Sequence, residues 1–394
     1  MKVKGFFKDV GGAGRVTEAR LSAFRNASAI PQSKDPIRAV AEQLHPGKLP
    51  LVVTQIRQSG KTAKTFRFQA KDGRRLPLFQ AGQYVVLDFP VGESLISRPY
   101  SISSAPYETI GSDSYIEITV RRAKSDGLIS DRLHDEVKVG DCFMGLIGCG
   151  QFYYEPLRDA KNVLALAGGA GITPFASMAK EVKAGRLDAD LTILYGCVSP
   201  DDMTLYDELK QCECERVRII PVISGEQVQW DGERGFLSSD LIKKYAADDC
   251  SIFICGPQVM YGYLRAELAK LNIPKRRVRF EVFGQAKNVA AFDGYPQEAK
   301  GKTFSLTVVR GISETVIPAR ADESLVVAME RAGIRIETGC RSGECGFCRT
   351  KVLSGSVFVC PENDGRRAAD RDFGYYHACA AYPTGDVKIR IPIA

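Results

Sequence analysis

The sequence predicts a multidomain protein: an antiparallel β-barrel, then an α/β domain built on a parallel sheet, then a small third domain rich in β-structure. Three observations predict it. Six β-rich runs separated by glycine and polar turns lie between Leu51 and Gly148. From Asn162 short, wholly apolar runs alternate with helical stretches. Beyond about Gly301 a hairpin, a helix and a tight run of cysteines close the chain. With 394 residues there is room for two or three domains of ordinary size.

The first-domain runs are 51–56, 65–70, 83–89, 99–103, 115–121 and 142–147, with one helix over 128–135, a pattern that suits a closed antiparallel sheet. The second-domain strands, 163–167, 191–195, 217–222 and 251–255, are apolar throughout, as a parallel sheet covered by helices on both faces requires. Residues 285–301 hold Asn288, Asp293, Gly294 and Pro296 without periodicity and read as a linker. After it, 304–309 and 315–319 read as a hairpin, and Asp322 as the N-cap of a helix through Ala332. The expected organisation is an extension over 1–48 with no assigned role, domains over 49–157 and 158–284, the linker 285–301 and a last domain over 302–394. Within the extension, Asp35 as cap and Pro36 at the first position predict a short helix to about Leu44.

Composition excludes several classes. Hydrophobic residues are 44% and charged residues 26%, ordinary for a packed chain and not for a disordered one. The net charge of +7 is spread without blocks, so no nucleic-acid footprint is expected. The most apolar stretch, Val163 to Ala179, is broken by Gly168, Gly169, Gly171 and Pro174, against a membrane span. Met1 to Val10 lacks the apolar segment of a secretory leader, and a cytoplasmic protein is expected. Twelve cysteines in that setting read as thiols, metal ligands or redox groups.

Cys340, Cys345 and Cys348 form C-x4-C-x2-C in one glycine-rich loop, the plant-type ferredoxin spacing for a [2Fe–2S] cluster. Structural zinc sites use paired C-x2–4-C knuckles, absent from this run. Gly339, Gly343 and Gly346 let the backbone wrap closely and aim amides at sulfur. The fourth thiolate has two candidates, Cys379 and Cys360. Cys379 lies in His377-Ala378-Cys379-Ala380-Ala381-Tyr382-Pro383, which resembles the C-x-x-x-P end of plant-type ferredoxins, and is the preferred one.

Arg98-Pro99-Tyr100-Ser101 resembles the R-x-Y-S flavin motif of the ferredoxin–NADP reductase superfamily. In that pattern Arg98 pairs with phosphate, Tyr100 packs on the isoalloxazine or ribityl chain and the Ser101 hydroxyl lies near flavin N5. Ala81-Gly82-Gln83-Tyr84 resembles the strand before the motif. Gly127-Leu128-Ile129-Ser130 opens a helix whose free amides and Ser130 hydroxyl could hold a pyrophosphate, favouring FAD over FMN. Gly148-Cys149-Gly150-Gln151-Phe152 resembles the turn that closes the family's barrel, with Cys149 in the usual proline position.

Gly168-Gly169-Ala170-Gly171-Ile172-Thr173-Pro174 follows a strand and opens a helix, where glycines admit a pyrophosphate and the helix terminus supplies partial positive charge. Gly169, Gly171, Thr173 and Pro174 carry this reading. Asp201 and Asp202 occupy the position where relatives choose between NADH and NADPH. Nothing basic occurs from Cys197 until Lys210, and two carboxylates repel a 2′-phosphate, so NADH is expected and NADPH is less favoured. Cys255-Gly256-Pro257 resembles the family's turn beside the nicotinamide, and Glu281-Val282-Phe283-Gly284 its E-x-F-G terminus. By that resemblance Ser101, Cys255 and Glu281 surround the reacting atoms and Phe283 lies at the cofactor.

The motif order, covering about residues 50–394, resembles NAD(P)H-dependent reductase components with a C-terminal plant-type ferredoxin domain of β-grasp fold. The resemblance implies hydride transfer from NADH to FAD, then single-electron transfer through the cluster to a protein acceptor. Relatives serve Rieske-type and diiron oxygenases, acyl-CoA epoxidases and the hybrid-cluster protein. The alternative is a non-catalytic electron-relay subunit of a larger flavoenzyme complex. Residues 302–394 hold thirteen basic and eleven acidic residues, consistent with a tethered domain that needs no long-range steering. An acceptor face around Arg341, Phe347 and Arg349 is expected.

Overall fold

The computed structural model describes residues 6–27, 35–37, 40, 47–123, 127–286 and 288–392. The chain forms two units, Met1–Pro46 and Gly47–Ala394. In the first, Phe6–Arg25 is a helix that the sequence reading did not anticipate, because Gly11, Gly12 and Gly14 each cost about 1 kcal/mol there. Asp35 Oδ1 accepts from the Ile37 amide at 3.0 Å, the expected cap, and Pro36, Ile37 and Val40 are helical. The remainder of that expected helix lies outside the described residues.

The second unit contains three main sheets. The first runs β1 (Leu49–Ser59), β2 (Ala63–Ala70), β3 (Tyr84–Val91), β4 (Ser94–Ser101), β5 (Ile116–Arg121) and β6 (Cys142–Cys149) in the order β4-β3-β6-β1-β2-β5, antiparallel throughout. A bridge between Ile102 and Ile118 joins the two ends and closes the sheet on itself around Leu51, Phe66, Phe68, Leu87 and Phe89. The fourth strand begins five residues earlier than the sequence predicts, because the turn at Gly92, with φ +56°, folds Ser94 directly onto Val91. Leu128–Asp135 is helical as expected and buries Ile129 and Leu133.

The second sheet is parallel: β7 (Asn162–Gly168), β8 (Asp190–Cys197), β9 (Val217–Ile223), β10 (Glu233–Arg234), β11 (Cys250–Cys255) and β12 (Val278–Glu281), in the order β10-β9-β8-β7-β11-β12. Along β7, Val163, Ala165 and Ala167 enter one core and Leu164 and Leu166 another, which explains the unbroken apolar run. The strand order reverses at β7, opening a crevice at its carboxyl end where such sheets bind ligands.

The third sheet contains β13 (Thr303–Arg310), β14 (Ser313–Arg320), β15 (Arg349–Ser354), β17 (Tyr375–His377) and β19 (Val387–Arg390), ordered β14-β13-β19-β15-β17, with β16 (Val357–Val359) pairing β18 (Ala381–Pro383) beside it. Its helix, Leu325–Arg331, is capped by Ser324, whose Oγ accepts from the Val327 amide. The expected cap, Asp322, is exposed and pairs with Arg320 instead. Within the segment read as a linker, Val289, Tyr295 and Ala299 pack with Ala321 and Tyr382, and the Tyr382 hydroxyl donates to the Ala286 carbonyl at 3.1 Å. The segment's three-residue 3-10 turns are too short to leave a periodic signal. Among the described residues no helix is long and apolar enough to cross a membrane.

Candidate functional site

Strand β4 carries Arg98, Tyr100 and Ser101, paired with Leu87, Val85 and Tyr84 of β3. Strand alternation puts Arg98 and Tyr100 on one face and Ser101 on the other. Arg98 donates to the Ser97 carbonyl at 2.9 Å, and among the described residues no ion pair engages its guanidinium. Burial, with Arg341 nearby and Glu330 opposing, brings its pKa down to about 10. A largely buried cation without a carboxylate suits an anionic ligand such as a flavin phosphate. Tyr100 packs edge-on against Phe89 at 6.4 Å, and burial pushes its phenol up. Gly127 precedes the helix Leu128–Asp135, and the Ser130 hydroxyl bonds back to the Gly127 carbonyl at 3.1 Å. Ile129 is core and Leu128 exposed, so a pyrophosphate here would meet backbone amides rather than those side chains.

The glycine-rich turn follows β7. Gly169 has φ +52°, and a Cβ on Gly171 would fall on the Cys255 carbonyl. Gly168 and Gly256 face each other, so the turns after β7 and β11 share one floor. Thr173 donates to the Ala170 carbonyl at 3.1 Å, and Pro174 is buried in the first turn of the helix Thr173–Lys183. That helix docks on the flavin-motif segment: Ser177 donates to the Ser104 carbonyl and Lys180 to the Ser103 carbonyl. Cys255 and Glu281 end β11 and β12 as paired residues, and the Tyr261 hydroxyl joins the Gly256 amide to the Glu281 carbonyl. Burial first, then Glu281, keeps Cys255 a thiol. Glu281 is pushed well above the carboxylate range by burial, with Glu344 and Cys340 adding to it, and Glu344 is pushed up to about 7, chiefly by burial.

Charges distant in sequence alter the reading of Asp201 and Asp202. Lys61 pairs with Asp201 at 2.5 Å and Arg121 with Asp202 at 2.6 Å, so the repulsion expected from the local sequence is balanced by cations from the barrel. Arg121 also reaches Gly169: a Cβ there would stand 3.0 Å from its Nη1.

The cysteine loop places four sulfurs together. The thiols of Cys345 and Cys379 bond to Cys340, and that of Cys379 also to Cys348. Amides aim at them: Ser342 and Cys345 at Cys340 Sγ (3.4 and 3.3 Å), Cys340 at Cys345 Sγ (3.3 Å) and Cys379 at Cys348 Sγ (3.4 Å). Four convergent sulfurs with amide support fit a [2Fe–2S] cluster. Cys360, the other candidate, is buried near Tyr382.

This loop lies against the rest of the site. Cys340 packs with Tyr84, Val86, Leu146, Cys149 and Phe283; Phe283 stands edge-on to Tyr84 at 5.2 Å; and the Gly284 amide reaches the Cys340 carbonyl at 3.4 Å. The expected acceptor face is corrected in one member. Arg341 is 4% exposed and held by Glu330, whereas Phe347 is 41% exposed and Arg349 stacks on Tyr375 and pairs with Asp370. Sequence reasoning missed Arg121, Tyr261 and Glu330, whose relevance rests on contacts across domains or between strand ends and leaves no local motif.

Three family models match consecutive parts of the chain: an oxidoreductase FAD-binding domain over residues 50–154, an oxidoreductase NAD-binding domain over 165–266 and a 2Fe-2S iron-sulfur cluster binding domain over 309–384. The chain is 29% identical over 306 residues to the carnitine monooxygenase reductase subunit of Escherichia coli (strain K12), covering 77% of this chain and 86% of that protein. It is 28% identical over 343 residues to the glycine betaine monooxygenase reductase subunit of Chromohalobacter salexigens, covering 83% and 90%. The fold matches phthalate dioxygenase reductase with a TM-score of 0.63 at 23% identity, over 88% of this chain and 98% of that one.

Proposed function

Because this chain belongs to the ferredoxin–NADP reductase-type oxidoreductases with a C-terminal [2Fe–2S] domain, we propose that it is the reductase component that draws electrons from NADH and delivers them singly to a partner oxygenase. When bound, FAD accepts the hydride and the cluster passes its electrons on one at a time. The observation that carries this reading is the seating of Cys340 on Tyr84, Val86 and Phe283, beside the crevice floored by the glycine-rich turn.

In this reading Arg98 and the amides of Gly127, Leu128, Ile129 and Ser130 bind the flavin's phosphates, while Tyr100 and Phe283 confine its ring. Gly169, Gly171, Thr173 and Pro174 shape the dinucleotide turn. Gly256 and Pro257 hold the nicotinamide side, where Ser101, Cys255 and Glu281 flank the reacting atoms. Glu281 ends β12 as the partner of Cys255, and burial holds its carboxyl above the usual carboxylate range. Cys340, Cys345, Cys348 and Cys379 ligate the cluster. NADH is preferred over NADPH because the two cations that reach Asp201 and Asp202 are each already paired with a carboxylate. The domain borders 49–157, 158–284 and 302–394, and a cytoplasmic location, belong to the same proposal.

Anaerobic stopped-flow mixing of the purified protein with NADH tests it. Flavin bleaching followed by cluster bleaching, with no partner present, supports the reductase. A flavin that stays oxidised until another enzyme is added supports the relay subunit instead.

A further inference from the structure

We propose that the Glu330–Arg341 ion pair is the tie that seats the cluster-binding loop against the flavin-binding sheet, so that electron transfer within the chain depends on it. The inference rests on the functional reading above and names positioning residues for that same site. Arg341 follows Cys340, has φ +59°, a left-handed conformation rare outside glycine, and is buried. Both its terminal nitrogens reach the Glu330 carboxylate, at 2.6 and 2.8 Å. Glu330 lies in the helix Leu325–Arg331, and its backbone carbonyl accepts the hydroxyl of Ser94, at the start of the strand that carries Arg98. On the loop's other side, the Cys340 carbonyl accepts the Gly284 amide and the Cys340 side chain packs on Tyr84, Val86 and Phe283. One buried ion pair therefore joins two contacts made with the flavin and nicotinamide domains.

Charge explains why the tie holds. Arg98 is a second guanidinium close enough for Arg341 to depress its pKa and for Glu330 to oppose that effect. With the Glu330 carboxylate removed, the buried Arg341 loses its ionic partner and faces the half-buried Arg98, and separating the loop from the sheet is the direct relief. The dependent step is simple in balance: one electron leaves the reduced flavin, one ferric iron is reduced, no bond forms or breaks between them, and NADH is the reductant.

The test uses Glu330→Gln and Arg341→Gly in the full-length holoprotein. Glycine adopts a positive φ without strain, so Arg341→Gly keeps the loop's turn while removing the tie. Iron, acid-labile sulfide and flavin per chain should match the parent protein, and flavin bleaching by NADH should keep its rate. Amide exchange at Gly284 and across 84–86 should quicken by about tenfold or more, as expected when a buried pair is broken at a local opening site. Cluster bleaching should slow by a comparable factor. Parental exchange and parental cluster reduction in both variants would overturn the proposal. So would loss of iron from both, which would make the pair a support of the loop itself. The exchange readout needs no electron donor, so it judges the tie even where NADH fails to bleach the parent flavin, a result that counts against the functional reading alone.

Discussion

The guanidinium of Arg121, carried at the end of β5 in the antiparallel sheet, lies over Gly169 of the parallel-sheet domain, within 3.0 Å of where a Cβ on that glycine would stand. A pyrophosphate entering the turn thus meets a cation that belongs to another domain. Its other contacts, to Asp202 at 2.6 Å and Thr62 at 3.2 Å, hold it there. Replacing Arg121 with Gln removes a charge-assisted bond, and weaker NADH binding by about tenfold is expected, with flavin content unchanged. Gly169→Ala should act in the same direction, because its φ of +52° strains any side chain and the added methyl crowds Arg121. Titration of each variant with NADH measures both effects; parental affinity in both would discount the contact.

In the proposed reading, the acidic pair in the turn after β8 sets the choice of dinucleotide. Asp202→Asn leaves Arg121 with an uncompensated charge beside the turn, and the ratio of kcat/KM for NADPH to that for NADH should rise about tenfold. An unchanged ratio in parallel assays would remove Asp202 from the specificity argument.

For the cluster, Cys379→Ser and Cys360→Ser make a paired experiment. Cys379 shares thiol contacts with Cys340 and Cys348, so its loss should leave the protein with little iron or acid-labile sulfide and still carrying flavin. Cys360→Ser should keep its iron. The reverse pattern would transfer the fourth position to Cys360.

His134 supplies a pH dependence. Its ring bonds the Val120 carbonyl at 2.9 Å, and burial holds its pKa below the ordinary value of 6.5. The unfolded chain takes up a proton here more readily than the folded one. Stability is therefore complete above about pH 6.5 and falls as the pH drops through that value toward the folded pKa. Thermal melts of His134→Gln at pH 7.5 and pH 5.5 should differ less than those of the parent protein. An equal difference in both proteins would assign the acid sensitivity to other groups.

Much of this architecture is local and therefore legible. The alternation in β1 to β6, the unbroken apolar run of β7 and the glycines at 168, 169 and 171 each encode their own backbone geometry over a few residues. Cys340, Cys345 and Cys348 do the same, since their spacing sets how one loop can wrap around metal. The 3-10 turns in 285–301 and the cap at Ser324 escaped because short turns carry no period and two neighbouring residue types can cap equally well. What the sequence by itself determined, then, is the list of parts and their order: barrel, parallel sheet, cysteine loop, and the residue types each offers to a ligand. Only the tertiary structure decided which parts meet. It neutralised Asp201 and Asp202 with Lys61 and Arg121, buried Arg341 against Glu330 rather than exposing it, and set Cys340 on Tyr84 and Phe283. The physical reason is range. Periodicity and turn chemistry act between residues a few positions apart, whereas charge compensation and packing depend on distance in space, which the chain acquires only when its domains close on one another.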